Sequence, residues 1–383
     1  MKKLKFSLIG CGRISANHIK ALIDNSNMAE LISVCDLIKD KAEQRADEYI
    51  NQAKEKNISL KRPKIFIDYK KMLQEEDIDV CSICTESGYH AEIALNCLTQ
   101  KKHILIEKPM AMSLPDADMI IREAEKNNVK LSVCYQNRFN PTIQKLRQAI
   151  EEGRFGKIIA ITARILWNRN KDYYDQAKWR GTWKLDGGCL MNQCTHSIDL
   201  LQWIIDDEIE TVFGQTGNYL HPYNETEDYG SIIVRFKNKV IGNIEGTVCV
   251  YPKNLEETLT IIGEKGTAVI GGLALNKIKI WNFEDQKESL EEVQEKCNSE
   301  IPNVYGKGHT PLYNNFIDAI RNNTNPLIDG NEGKKSLSIV LMAYKSQKYS
   351  QIINYNEGLH IASEDFKGMF EKNRKKRSLR ETK

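Results

Sequence analysis

The chain has 383 residues, 41% of them hydrophobic, with 55 Lys and Arg against 52 Asp and Glu. That length suggests two or three domains, each able to bury a core, and the near-balanced net charge of +3 gives no nucleic-acid footprint. No apolar stretch reaches the roughly 18–20 residues of a membrane helix. The apolar run after Met1-Lys2-Lys3-Leu4 is cut by Gly10, Gly12 and Arg13 before it reads as a secretory signal.

The first third alternates short apolar runs with amphipathic stretches. Lys5–Ile9 reads as a strand, Ser15–Asn25 as a helix, Leu31–Cys35 as a strand and Lys39–Lys56 as a polar helix. Lys54–Pro63 reads as a polar insertion. Val80–Cys84, His103–Ile106 and Val129–Val133 are further buried strands, separated by helices at Ala91–Gln100 and Pro115–Asn127. Such alternation predicts a doubly wound parallel sheet covered on both faces. From about Ile158 the rhythm becomes β-rich, with strands expected at Ile158–Trp167, Ile209–Tyr219, Gly230–Phe236, Val240–Val250, Glu257–Gly263, Thr267–Ile270 and Asn276–Asn282. Several alternate apolar with polar residues, as strands of an antiparallel sheet with one open face do. Helices at Pro141–Glu152, His196–Ile205, Leu312–Asn322 and Lys335–Ser350 accompany them. The expected fold class is α/β: a Rossmann sheet over residues 1–130, an α+β domain with a large, mostly antiparallel sheet over 131–355, and a polar tail over 356–383. The basic run Lys372-Asn373-Arg374-Lys375-Lys376-Arg377 in that tail reads as a solvated terminus. The ten Cys are scattered, and Cys81-Ser82-Ile83-Cys84 has no second pair at zinc-ribbon distance, so they read as reduced structural thiols and no metal is expected.

Gly10-Cys11-Gly12-Arg13-Ile14-Ser15 follows the first strand and opens the first helix. Glycine permits the tight turn and lets backbone N–H groups approach a pyrophosphate at the helix N-terminus. Ser15 stands where a third Gly or Ala is usual. Asp36, at the end of the second strand, is placed to accept hydrogen bonds from an adenosine ribose. Its charge would repel a 2′-phosphate, which favours NAD over NADP.

His103-Ile104-Leu105-Ile106-Glu107-Lys108-Pro109 ends a strand on Glu-Lys-Pro. With the Gly-rich turn, Arg138-Phe139-Asn140-Pro141, the stretch from Gly187-Gly188 to His196-Ser197-Ile198-Asp199 and Pro326-Leu327-Ile328-Asp329-Gly330, it resembles the Gfo/Idh/MocA oxidoreductases from Phe6 to about Tyr349. The resemblance implies a catalytic Lys108, often before a cis proline, and a general-base His196. Lysine there would polarise a substrate hydroxyl and stabilise an alkoxide; histidine changes charge near neutral pH and can take the proton. It further implies cofactor contacts from Gly10, Gly12, Arg13, Ile14, Asp36, Thr85, His90, Glu107 and Lys108. Thr85-Glu86-Ser87 departs from the family's usual Pro-Asn, and Asn192 stands where many relatives have Asp. The i, i+4 spacing of Asn192 and His196 at a helix start would put both on one face, with Asn192 as a substrate hydrogen-bonder.

The segment Trp167 to Trp183 is rich in Arg and aromatics. Guanidinium groups suit diphosphate or carboxylate, and aromatic faces suit a sugar or uracil ring. With Met191-Asn192-Gln193, this block resembles the branch that oxidises the 3-hydroxyl of UDP-N-acetylhexosamines and their uronic acids for surface-polysaccharide synthesis. Arg169, Tyr173, Tyr174, Trp179 and Arg180 become substrate candidates alongside Lys108, Asn192 and His196, with Arg138 a candidate for the uronate. The alternatives are a dehydrogenase of a free cyclitol or hexose, and a catalytically silent NAD-binding regulator. The expectation is a cytoplasmic homo-oligomer, dimer or tetramer, with a small-molecule partner and neither nucleic acid nor membrane.

Overall fold

The computed structural model describes residues 2–300 and 306–371. They form two compact units. The first takes the described residues of Met1–Ala111, Asp116–Gln136 and Gly308–Lys334, and the second those of Met112–Pro115, Asn137–Lys307 and Lys335–Lys383.

In the first unit β1 (Leu4–Ile9), β2 (Ala29–Cys35), β3 (Lys64–Phe66), β4 (Val80–Ile83), β5 (His103–Ile106) and β6 (Leu131–Val133) form one parallel sheet. Its order is β3-β2-β1-β4-β5-β6, the Rossmann arrangement. β4 is buried at every position and β5 at three of four, which is why these strands read as unbroken apolar runs. The order reverses at β1, so the turn after β1 lies at the carboxyl-end position where such sheets bind ligands.

One strand escapes the sequence reading and one expectation is corrected here. The segment read as a polar insertion, Lys54–Pro63, is followed by β3, which pairs with β2 at the sheet edge, Ser33 opposite Lys64. Three residues, one of them exposed, are too short a run to show a period. The helix His309–Asn322, expected with the second domain, packs on helix Ser15–Asp24 of the first. Asn25 donates to Thr310 O at 3.1 Å, and Tyr313 and Phe6 meet ring to ring at 5.5 Å.

The second unit holds β7 (Ile158–Leu166), β8 (Ile209–Gly217), β9 (Tyr229–Phe236), β10 (Ile241–Thr247), β11 (Glu256–Gly263), β12 (Gly266–Gly271), β13 (Lys277–Phe283) and β14 (Ile353–Asn354). Their order is β13-β12-β11-β7-β10-β9-β8-β14. Only β7 and β10 pair in parallel; the other neighbours are antiparallel. β9 alternates buried and exposed residues along its length: one face takes the helix Thr195–Ile205 and its neighbours, while Ile233, Ile241 and Ile262 lie on the exposed one. Arg164 bridges Glu245 and Glu256 across three strands of that outer face.

The tail expected from residue 356 is corrected as far as 371. Phe366 and Phe370 are buried against Trp183, and Ser363 donates to Trp183 O at 2.7 Å. The basic run 372–377 lies outside the described residues. Among the described residues no helix is long and apolar enough to cross a membrane.

Candidate active site

At the end of β1, Gly10 has φ +92°, and a Cβ there would stand 2.6 Å from the Cys84 backbone. Only glycine fits. A Cβ on Gly12 would meet nothing within 4 Å, so that side of the turn is open. Asp36 accepts the Cys11 N–H at 2.8 Å and the Ile38 N–H at 2.9 Å, bracing the turn while each oxygen keeps a lone pair. Arg13 is exposed and Ile14 half-buried at the start of the helix. One contributor escaped the sequence reading. Arg45, 30 residues on, donates from Nε to Ser15 Oγ at 2.8 Å, and Ser15 in turn donates to Gly12 O at 2.5 Å. The serine in the third glycine's place is thus tied into the turn. Arg45 also pairs with Glu48, so its charge is already engaged.

At the end of β5, the Lys108–Pro109 bond is cis, as the resemblance implied. Lys108 is half-buried. Glu107 is buried, and its carboxylate turns inward: Oε1 lies 3.0 Å from His18 Nε2 and Oε2 accepts the Lys108 N–H at 3.2 Å. Burial opposes its charge, yet contacts with His18 and His309 outweigh burial and hold it well below the usual carboxylate range. His90 is buried too, its ring between Pro109 O at 2.8 Å and Thr85 O at 3.1 Å, and burial lowers its pKa. The side chains of Glu107 and His90, expected as cofactor contacts, are engaged with protein partners and brace the Lys108 and Thr85 loops from within. Thr85 itself is half-buried.

In the second unit Gly187 has φ +75° and precedes a four-residue helix, Cys189–Asn192. A Cβ on Gly188 would overlap Glu227, 1.7 Å from its Oε2. His196 belongs to the next helix, Thr195–Ile205. The expected i, i+4 pair on one helix is therefore corrected: the chain breaks at Gln193 and Cys194, and Asn192 and His196 sit half-buried on successive helices. The Asn192 amide donates to Asp186.

The Arg and aromatic residues do assemble. Two guanidinium groups lie over the Tyr173 ring, Arg180 at 4.0 Å and Arg169 at 5.2 Å from its centre. Its hydroxyl accepts from Gln193 at 3.0 Å, linking the block to the segment that bears Asn192 and His196. Tyr174 packs edge-on to Tyr173, and Trp179 lies under Arg180 at 5.5 Å. Arg138 is the correction: fully buried, it pairs bidentately with Asp199 at 2.7 and 2.6 Å, and Asp199 also takes Ser336 Oγ at 3.0 Å. A guanidinium already neutralised inside the core is not offered to a uronate.

Residues 4–135 match the oxidoreductase family with an NAD-binding Rossmann fold, and residues 143–269 match the GFO/IDH/MocA C-terminal domain. The chain belongs to the GFO/IDH/MocA oxidoreductase family. Within it, the chain is 36% identical to the WlbA dehydrogenase of Bordetella pertussis, solved with NADH and UDP-GlcNAcA, over 92% of this chain and 98% of that one, with a TM-score of 0.81. It is 34% identical to the WlbA dehydrogenase of Chromobacterium violaceum, solved with the same two ligands, over 92% and 96%, also at 0.81. It is 24% identical to the myo-inositol 2-dehydrogenase of Thermotoga maritima over 92% of this chain and 99% of that protein.

As a GFO/IDH/MocA member the protein is an NAD-dependent dehydrogenase. The turn after β1 fits that cofactor: Gly10 allows the bend, Gly12 leaves open space before the helix N-terminus, and the Asp36 carboxylate lies just past β2, beside the turn. Among the described residues two groups bring three metal-ligating atoms within 4.8 Å of one another, His18, Glu107 and His309, and His221, Asp228 and Cys249. In the second, both Asp228 oxygens already accept backbone N–H groups, and Oδ2 also faces His221 Nδ1 at 2.8 Å.

Proposed function

We propose that the protein oxidises the 3-hydroxyl of a UDP-N-acetylhexosamine, or of its uronic acid, to a 3-keto sugar nucleotide in the synthesis of surface-polysaccharide sugars. The observation that carries this reading is the pair of guanidinium groups on Tyr173, tied through Gln193 to the segment of Asn192 and His196. Two such groups suit a diphosphate, and each charge-assisted hydrogen bond contributes about 1.5–3 kcal/mol. The 36% identity to a dehydrogenase solved with UDP-GlcNAcA supports the same substrate class.

In this reading Lys108 polarises the reacting hydroxyl and His196 takes its proton, while the alcohol carbon gives up hydride. Bound NAD supplies the hydride acceptor. Gly10, Gly12, Arg13, Ile14, Asp36 and Thr85 hold the cofactor; Arg169, Tyr174, Trp179, Arg180 and Asn192 hold the sugar nucleotide. The exposed face carrying Ile233, Ile241 and Ile262 is the surface we assign to subunit association.

A second reading, oxidation of a free cyclitol, is favoured by the likeness to myo-inositol 2-dehydrogenase. One experiment separates them: NAD reduction with UDP-N-acetylglucosamine, its uronic acid, free inositol and glucose, for wild type and Arg180→Ala. The sugar nucleotide should turn over to a 3-keto product, and Arg180→Ala should raise KM far more than it lowers kcat, because uniform binding is lost. Turnover of inositol or glucose without any UDP-sugar activity would overturn the assignment.

A further inference from the structure

Behind the Lys108 turn of the first unit runs a buried line of polar groups. Ser82 Oγ lies 2.8 Å from Tyr313 OH, Tyr313 OH lies 2.8 Å from His18 Nδ1, and His18 Nε2 lies 3.0 Å from Glu107 Oε1. Glu107 Oε2 then accepts the backbone N–H of Lys108 at 3.2 Å. Ser82, His18 and Tyr313 are fully buried and Glu107 is 5% exposed.

The direction of the line follows from its last acceptor. Glu107 is held as a carboxylate, which only accepts, so His18 donates from Nε2. Its Nδ1 meets the Tyr313 hydroxyl, which in turn meets Ser82, so both ring nitrogens are engaged and the plane of the His18 ring is fixed. His309 packs edge-on to that ring at 5.3 Å, with its Nε2 3.8 Å from the same Glu107 oxygen.

His18 stands on helix Ser15–Asp24, the helix that the Gly-rich turn opens. Its neighbours on the core side, Ile19 and Leu22, are apolar and fully buried. An apolar side chain at 18 would pack as Ile19 and Leu22 do but would leave Glu107 and Tyr313 buried without this partner, so packing alone does not account for the histidine. What the histidine adds is a directed link from the cofactor helix to the residue-108 amide.

We infer that His18 is a positioning residue: through Glu107 it ties the helix behind the Gly-rich turn to the Glu107–Lys108–Pro109 turn and so sets where Lys108 presents its ammonium. The inference rests on Lys108 acting at the substrate hydroxyl. A displacement of about 1 Å at such a group can cost on the order of a hundredfold in rate, so the effect belongs in kcat.

The test compares His18→Leu, His18→Gln, Tyr313→Phe and Lys108→Ala in the full chain with NAD. The substrate is whichever of the sugar nucleotide or free sugar the wild type oxidises. The measurements are thermal midpoint, NAD affinity, kcat and KM. His18→Leu should lower kcat about 10- to 100-fold with KM and NAD affinity nearly unchanged. His18→Gln, whose amide can still donate to Glu107, should recover much of that loss, and Tyr313→Phe should show a smaller loss of the same kind. A folded, NAD-binding His18→Leu with wild-type kcat overturns the inference while a dead Lys108→Ala leaves the Lys108 reading standing. An active Lys108→Ala overturns both. If His18→Leu does not fold, Tyr313→Phe and His18→Gln decide: wild-type kcat in Tyr313→Phe, or losses in kcat, KM and NAD affinity that track thermal stability, overturns it.

Discussion

Each unit buries a glutamate beneath the backbone of a segment assigned to the chemistry, and their surroundings push the two carboxyl groups in opposite directions. Glu107 is 5% exposed and Glu227 1%. Both accept a backbone N–H, Glu107 from Lys108 at 3.2 Å and Glu227 from Leu190 at 2.9 Å. Glu107 has imidazole rings beside it and is held well below the usual range. Glu227 has burial as its largest influence, which outweighs hydrogen bonds from backbone N–H groups, Leu190 first, and from the Tyr344 hydroxyl at 2.7 Å, and is pushed up to about 8. Its Oε2 has no hydrogen-bond partner among the described residues. Burial is the same in both places. Groups that can supply a proton or a positive charge decide whether a buried carboxylate stays ionised.

The comparison is sharpened most by removing the side chain that each unit is assigned to bring to the chemistry. Lys108→Ala and His196→Ala should each lower turnover by about two to four orders of magnitude, the usual range for positioned proton transfer. NAD affinity should stay close to wild type in both. Near-normal turnover in either variant would remove that residue from the chemistry, and with it the reason for the brace beneath it.

A smaller effect is expected at Gly188, because the second glutamate leaves no room there. A Cβ would stand 1.7 Å from Glu227 Oε2. Gly188→Ala must move either the carboxylate or the Cys189–Asn192 helix, a strain of about 1–3 kcal/mol by analogy with overpacked cores. Denaturant unfolding should show that loss, and turnover should fall with it. An alanine variant of wild-type stability would mean that Glu227 is free to turn away.

Much of the first unit was legible because its signals are local. The strands Val80–Ile83, buried throughout, and His103–Ile106, buried at three of four positions, are apolar runs closed by turns, and the Gly-rich turn lies within six residues of sequence. What the sequence hid is what the chain brings together over distance. Arg138 could be read as a ligand for a uronate because its partner Asp199 is 61 residues away. Arg45 reaches Ser15 from within a polar helix 30 residues on, and nothing in its neighbours marks it. The helix His309–Asn322 returns to the first unit after seven strands of the second sheet, β7 to β13, a connection that periodicity does not encode. The spacing of Asn192 and His196 suggested one helix, but Gln193 and Cys194 interrupt it without a Gly or Pro to signal the break.

The finest test of the comparison is the pH dependence that Glu227 should impose on stability. In the unfolded chain a glutamate ionises near 4.5, whereas in the folded chain Glu227 does so near 8. Between those values the folded chain holds the extra proton, so stability falls as pH rises through this window. Asp228 beside it adds to the upward push but is itself held low, chiefly by His221 and the backbone N–H groups of Leu220 and Tyr219 against its burial. Glu257, pushed up to about 7 by burial with Ser197 as its hydrogen-bond partner, adds a parallel trend up to that pH. Glu227→Gln keeps an oxygen for Leu190 and Tyr344 but cannot ionise. Its thermal midpoint should therefore gain on wild type as pH is raised from 5 to 8, with the Glu257 contribution common to both proteins and cancelling in the difference. Because neighbouring groups can relax around a new charge, a gap of a few degrees at pH 8 is the expected size. A difference that stays flat across the window would mean that Glu227 is ionised in the folded protein, like Glu107, and that a cationic partner must then stand beside it.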